Sequence, residues 1–163
     1  KIWFDKEPAF DAAIAGRFGA DHRAARAGKL DAWAEAAQPC LALVIHLDQF
    51  SRHLFRDDPG AYAADGKALA LAKHALDRGF DKGFPPHVRK FFYLPFEHSE
   101  SLGEQYRSVA LFAGLEMPRT LEYAYRHWQI IERFGRFPHR NLCLGRISTE
   151  AEIAFLEEPF SAF

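Results

Sequence analysis

"PRTLEYAYRHWQIIERFGRFPHRN", residues 118–141, carries the reading that sets the fold. Pro118 suits the first turn of a helix, where the amide hydrogen it lacks has no partner, and Leu121, Tyr125, Trp128 and Ile131 recur at helical spacing on one predicted apolar face. Gly135 tolerates the left-handed conformation that ends a helix, and Pro138 prevents its continuation.

The same punctuation repeats outward. Thr149 with Glu152 is a capping box, predicting a short helix toward Leu156, and Ser101 with Glu104 predicts a helix carrying Val109, Phe112 and Leu115. "PPHVRKFFYLP", residues 85–95, starts another helix that Pro95 is expected to kink or end. Residues 56–79 open on Asp58-Pro59 and close on Lys73, His74, Arg78 and Gly79, the charge and cap asymmetry of a complete helix. Pro39 fits a first helical position, and "CLALVIHLDQF", residues 40–50, is apolar on every side before turning amphipathic at His46, Asp48 and Gln49, so it is predicted to be the most buried helix. Upstream, a short helix is expected over Leu30–Ala37. Asp5 and Pro8 ahead of Phe10, Ile14 and Phe18 predict a first helix running to Gly28. No alternating β-branched stretch and no Asn-Gly hairpin interrupts this series. The expectation is an all-α chain, one domain over residues 1–163, with short connections that make consecutive helices antiparallel neighbours.

Composition bounds the function. The chain has 163 residues, 48% of them hydrophobic, enough for a substantial core. Twenty-one Lys and Arg against 22 Asp and Glu leave a net charge of -1, which argues against a nucleic-acid binder. Cys40 and Cys143 lack metal-ligand spacing and read as free thiols, favouring a cytoplasmic setting. No apolar run is long enough to span a membrane. The chain begins at Lys1 within an apolar run, "KIWF", so further N-terminal residues are expected to precede it.

Motifs for phosphate loops, dinucleotide binding, zinc helices and nucleophile elbows are absent. His98-Ser99-Glu100 begins like a zinc deaminase but lacks the cysteine pair that must follow. No cofactor or metal is therefore expected, and no catalytic residue is assigned. Three polar groupings remain. Asp48 and Arg52 stand four apart on one helix face with Gln49 beside them, either as a cleft wall or as a local ion pair. Glu97 and His98 follow Pro95, where a freed carbonyl and an acid–base pair can face a cavity, or where local capping satisfies them. Arg136, His139, Arg140 and Asn141 follow the Gly135 cap, and arginine's fixed fork of donors suits carboxylate or phosphate. These arginines are alternatively expected to reach back to Glu97, Glu100, Glu104 or Asp48. The aromatic residues, Trp128, Phe91, Phe92, Phe134 and Phe137 among them, read as core.

"LALVIHLDQFSRHLFR", "FFYLPFEHSE", "QYRSVALF" and "HWQIIERFGRFPHRNLCLGRISTEAEIAFL" resemble a bacterial family classed only as a domain of unknown function, numbered nine hundred and twenty-four. The resemblance runs from Trp3 to Phe163 and implies a right-handed, tetratricopeptide-like superhelix of stacked antiparallel helix pairs, with no activity attached. Family members usually read "LDQFPRN", so Ser51 and His53 depart from the pattern. Members also carry an apolar aromatic stretch ahead of Trp3.

Stacked helix pairs leave a concave face that commonly binds segments or ligands. The leading expectation is a non-enzymatic binding module whose cleft gathers Asp48, Gln49, Arg52, Glu97, His98, Arg107, Arg136, His139, Arg140 and Asn141 around a small anionic ligand or the acidic or carboxylate end of a peptide. The alternatives are a hydrolase-like or transferase-like enzyme using Glu97 with His98 or His139 as acid and base, and a purely structural polar network. The sequence leaves oligomeric state open.

Overall fold

The computed structural model describes residues 7–162. Among these, eight α-helices follow one another without a strand: α1 Pro8–Arg26, α2 Ala37–Leu47, α3 Gln49–Leu54, α4 Asp65–Asp77, α5 Pro86–Glu97, α6 Leu102–Ala113, α7 Pro118–Phe134 and α8 Glu150–Leu156. Short 3-10 turns at Asp31–Glu35, Pro59–Ala61, Phe80–Gly83 and Pro138–Arg140 join them. The all-helical expectation is met. Asp5 lies outside the described residues, as does the "KIWF" run.

The apolar character of α2 has a direct cause in its position. Cys40, Leu41 and Val44 enter one core with Phe92, Tyr93 and Leu94 of α5, Phe112 of α6 and Ala124 of α7. Leu43 and Leu47, on its other side, pack with Ala25 of α1 and Ala64 and Ala68 beside and within α4. A helix that feeds two cores has little room for a polar face. Each fully buried Leu or Phe here contributes roughly 1.5–3 kcal/mol relative to exposure. A third cluster joins Ile130 and Ile131 of α7 to Phe137 and Phe155.

Local signals placed helix ends well in some cases and poorly in others. Gly135 adopts φ 69° and its amide donates to the Ile131 carbonyl, as the cap requires. Thr149 and Glu152 form the complete capping box. The short helix expected over Leu30–Ala37 is instead a 3-10 turn over Asp31–Glu35, and Ala37 already begins α2. Pro39 is the third residue of α2, not the first, and α4 starts at Asp65 because Asp58-Pro59 instead caps a separate 3-10 turn, the Asp58 side chain accepting from the Gly60 amide. Ser101 does sit at the start of α6, yet its side chain makes no cap; Glu104 pairs with Lys73 of α4, and the buried Gln105 amide donates to the Glu97 and Ser99 carbonyls at 2.7 Å each. Tertiary partners outcompeted the local box. Pro95 ends nothing: α5 continues to Glu97.

Two corrections bear on function. The helix expected to run through Asp48 breaks there, separating α2 from α3. On α7 the buried positions are Ala124, His127, Ile130 and Ile131, while Tyr125 is 44% exposed. One residue along a helix is a rotation of about 100°, so a small error in the stripe hides a different residue altogether. Here it hid His127.

Candidate functional site

The α2–α3 break sets the Asp48 carboxylate, 1% exposed, against the C-terminal end of α5. Its Oδ1 accepts from His98 Nδ1 at 2.6 Å and its Oδ2 from the Gln49 amide at 2.6 Å. Burial opposes the charge on Asp48, but the His98 contact and the nearby Arg52 more than offset it and hold the acid below the ordinary carboxylate range. The expected Asp48–Arg52 pair within one helix is not formed as a hydrogen bond. Each residue takes a partner from a distant element instead.

Glu97, the last residue of α5, is 4% exposed; its Oε1 lies 3.6 Å from His127 Nδ1, and the Lys90 ammonium also acts on it. Burial and then the Asp48 charge push the Glu97 acid up to about 8. His127, also 4% exposed, donates from Nδ1 to the Tyr123 carbonyl at 2.9 Å. Burial, reinforced by His98, holds it well below the ordinary histidine range, so it is neutral at pH 7. Glu97, His98 and His127 each offer a ligand-type atom within 4.8 Å of the others.

A second polar layer covers this one. Arg52 donates to both Asp65 oxygens at 2.8 Å, in a bidentate fork, and to the Ala61 carbonyl. Arg140 donates to the His98 carbonyl at 3.0 Å and lies 3.5 Å from Asp65 Oδ2, while its buried Nε has no hydrogen-bond partner. Both guanidinium carbons sit 4.6 Å from the Tyr62 ring centroid, a cation–π arrangement for each. Burial, with Arg52 adding to it, lowers Arg140 to about 10. His139, held to about 3 by burial, stays neutral and lies tilted against Phe137, with ring centroids 5.7 Å apart.

An open cleft of about 510 Å³ adjoins these groups, lined by Tyr62, Asp65, Leu69, Pro95, His98, Ser99, Glu100, Arg140 and Leu144, with Pro59, Ala63 and Gly66 at its side. Asp48, Gln49, Arg52 and Glu97 stand behind that wall, and His139 beside Arg140. Three expected residues go elsewhere. Arg107 is exposed on α6 with its guanidinium 4.9 Å from the Phe96 ring centroid. Arg136 donates to both carboxylate oxygens of Glu152, at 2.6 and 2.8 Å, and to the Ile147 carbonyl, so it closes the α8 capping box. Asn141 is 1% exposed and donates to Ser148 Oγ at 3.0 Å, bracing the turn after the arginines.

The partners expected for the arginines were right in kind and wrong in detail. Arg146 reaches back to Glu100 through two bonds of 2.7 and 2.9 Å, and Glu100 also accepts from the Phe137 amide. Ser51 and His53, the two departures from the family pattern, face α1: Ser51 meets His22 at 2.9 Å and His53 meets Asp11 at 2.8 Å. A further depression of about 600 Å³ between α7 and the C-terminal turn is lined by Arg126, Arg133, Phe155 and Phe160, without a buried titratable group.

Sequence reasoning missed Tyr62, Asp65 and His127. For His127 a signal existed: Ala124, His127, Ile131 and Phe134 are also spaced by three and four. Nothing local marks Asp65 or Tyr62, which enter the site only because α4 packs on α5.

Among the described residues no helix is long and apolar enough to cross a membrane. No curated protein matches the chain. It is similar to the solved structure of a protein of unknown function, ATU0120, from Agrobacterium tumefaciens, with 44% identity over 95% of this chain and 88% of the other and a TM-score of 0.92. Residues 1–160 match the family described as bacterial protein of unknown function, DUF924. The chain belongs to that bacterial family, DUF924.

Proposed function

We propose that this protein is a cytoplasmic binding module whose cleft takes a small carboxylate- or phosphate-bearing molecule, or the acidic end of a peptide. The observation that carries the reading is Arg140, a buried guanidinium on the cleft wall whose one short hydrogen bond runs to a carbonyl and whose contact with the Asp65 carboxylate is long, at 3.5 Å. A buried guanidinium with unused donors is an anion receptor by its chemistry. Tyr62, Ser99 and His98 supply further polar atoms on the same wall. A volume of about 510 Å³ falls within the roughly 300–1,000 Å³ typical of small-ligand pockets. The reading takes the chain as one domain, a tetratricopeptide-like stack, supported by the successive packing of α4 on α5, α5 on α6 and α6 on α7. Free Cys40 and Cys143 support the cytoplasmic setting.

The test is a thermal-shift screen of small carboxylates and phosphates, with hits measured by calorimetry on wild type and Arg140→Gln. Loss of one guanidinium fork is expected to weaken binding by roughly 10–100-fold, about 1.5–3 kcal/mol. Hits with affinity unchanged by Arg140→Gln, or a screen without hits, would sink the proposal.

A second reading, an acid–base enzyme, rests on a separate feature. Asp48 orients His98, which lines the cleft, and the neighbouring Glu97 acid is held to about 8, near the pH of the cytoplasm. His98 rather than His139 is the base in this reading, because burial keeps His139 near 3 and Asp48 does not touch it. Activity in a broad hydrolase and transferase screen that persists in a folded His98→Ala variant would refute it.

A further inference from the structure

We propose that Glu97, His98 and His127 bind a divalent transition-metal ion, Zn²⁺ being the best match, at the inner wall of the cleft. One ligand atom of each residue lies within 4.8 Å of the others, and the donors come from the end of α5 and the buried face of α7. Two imidazoles and one carboxylate form a protein ligand set that leaves a coordination position open, the pattern of catalytic rather than structural zinc.

The surroundings support the assignment in two ways. First, each imidazole is oriented through Nδ1 by an acceptor behind it, His98 by Asp48 Oδ1 at 2.6 Å and His127 by the Tyr123 carbonyl at 2.9 Å. Outer partners of these two kinds, carboxylate and backbone carbonyl, typically stand behind metal-bound histidines, where they fix the tautomer. Second, Asp48 and Glu97 are two buried carboxylates close enough for the Asp48 charge to act on Glu97, and while Asp48 takes short hydrogen bonds from His98 and Gln49, the contact of Glu97 with His127 is longer, at 3.6 Å. A cation at Glu97 supplies a closer partner. The inference does not depend on the anion reading: Arg140 is not one of the three ligands and meets His98 only at its backbone carbonyl.

The experiment uses the full chain, stripped with a chelator and dialysed, then titrated with Zn²⁺ by calorimetry and with Co²⁺ by visible absorption. One equivalent of Zn²⁺ is expected to bind, with d–d bands from Co²⁺ in a low-symmetry site. Glu97→Gln and His127→Ala are each expected to weaken Zn²⁺ binding by at least about 100-fold, and Asp48→Asn, acting through His98, by roughly 10–100-fold. Arg140→Gln is expected to leave Zn²⁺ affinity unchanged, so failure of the anion reading and failure of this one are distinguishable. Should His127→Ala fail to fold, the near-isosteric Glu97→Gln, checked by circular dichroism, carries the test. No saturable binding in the wild type overturns the proposal. So does binding that survives Glu97→Gln unchanged, since the ion then sits at a surface thiol or imidazole.

Discussion

Replacing Glu97 by glutamine removes a titrating proton from the protein interior while keeping the side chain's size, and its effect on stability depends on pH in a defined direction. In the folded chain burial and the Asp48 charge raise the Glu97 acid from 4.5 to about 8. Between those values the unfolded chain has released this proton and the folded chain still holds it. The folded state therefore binds more protons, and stability falls as pH rises through the window. At about 1.4 kcal/mol per tenfold change in proton affinity, the full displacement corresponds to roughly 4–5 kcal/mol, and relaxation of the site brings the expectation to about 3–5 kcal/mol. His127 contributes the opposite slope: its buried neutral form loses stability as pH falls below the ordinary histidine range. Because His127 is present in both proteins, its contribution largely cancels in the difference. Urea unfolding of wild type and Glu97→Gln, followed by circular dichroism with a chelator present, measures the effect. The stability of the variant relative to wild type is expected to climb by about 3–5 kcal/mol from about pH 5 to about pH 8.5, then level off. With a urea slope of roughly 2 kcal/mol/M, that is a shift of about 1.5–2.5 M in relative midpoint. A difference that stays constant over this range would refute the placement of a buried acid held protonated at Glu97.

Two further predictions concern the frame of the site. Arg52→Lys keeps the charge but loses the fork to Asp65 and cannot reproduce the bond to the Ala61 carbonyl in the same geometry, so it is expected to cost about 1–3 kcal/mol, read by urea unfolding at neutral pH. Gly135→Ala meets no atom within 4 Å, so its cost comes from φ 69° alone, about 1 kcal/mol, or a fall of roughly 2–4 °C in melting temperature by calorimetry.

Much of the helical frame was legible because its signals are local. Gly135 and the Thr149–Glu152 box act through backbone atoms a few residues away, and both are formed. The signals failed where a distant group competed for the same atoms. Glu104 leaves the Ser101 box for Lys73, and Arg52 leaves Asp48 for Asp65. Of the four residues after the Gly135 cap, Arg140 lines the cleft, His139 is buried beside it, Asn141 braces the following turn and Arg136 closes a capping box.

The amino-acid sequence by itself determined that the chain is helical and that α2 is its most apolar element, since backbone conformation and hydrophobic periodicity are properties of neighbouring residues. Only the tertiary structure decided that Glu97, His98 and His127 meet, that Asp48 stands behind His98, and that Arg140 rather than Arg136 borders the cleft. The reason is geometric. A helix turns about 100° per residue, so the side chain it aims at a neighbour depends on a rotation that the packing of the whole core selects.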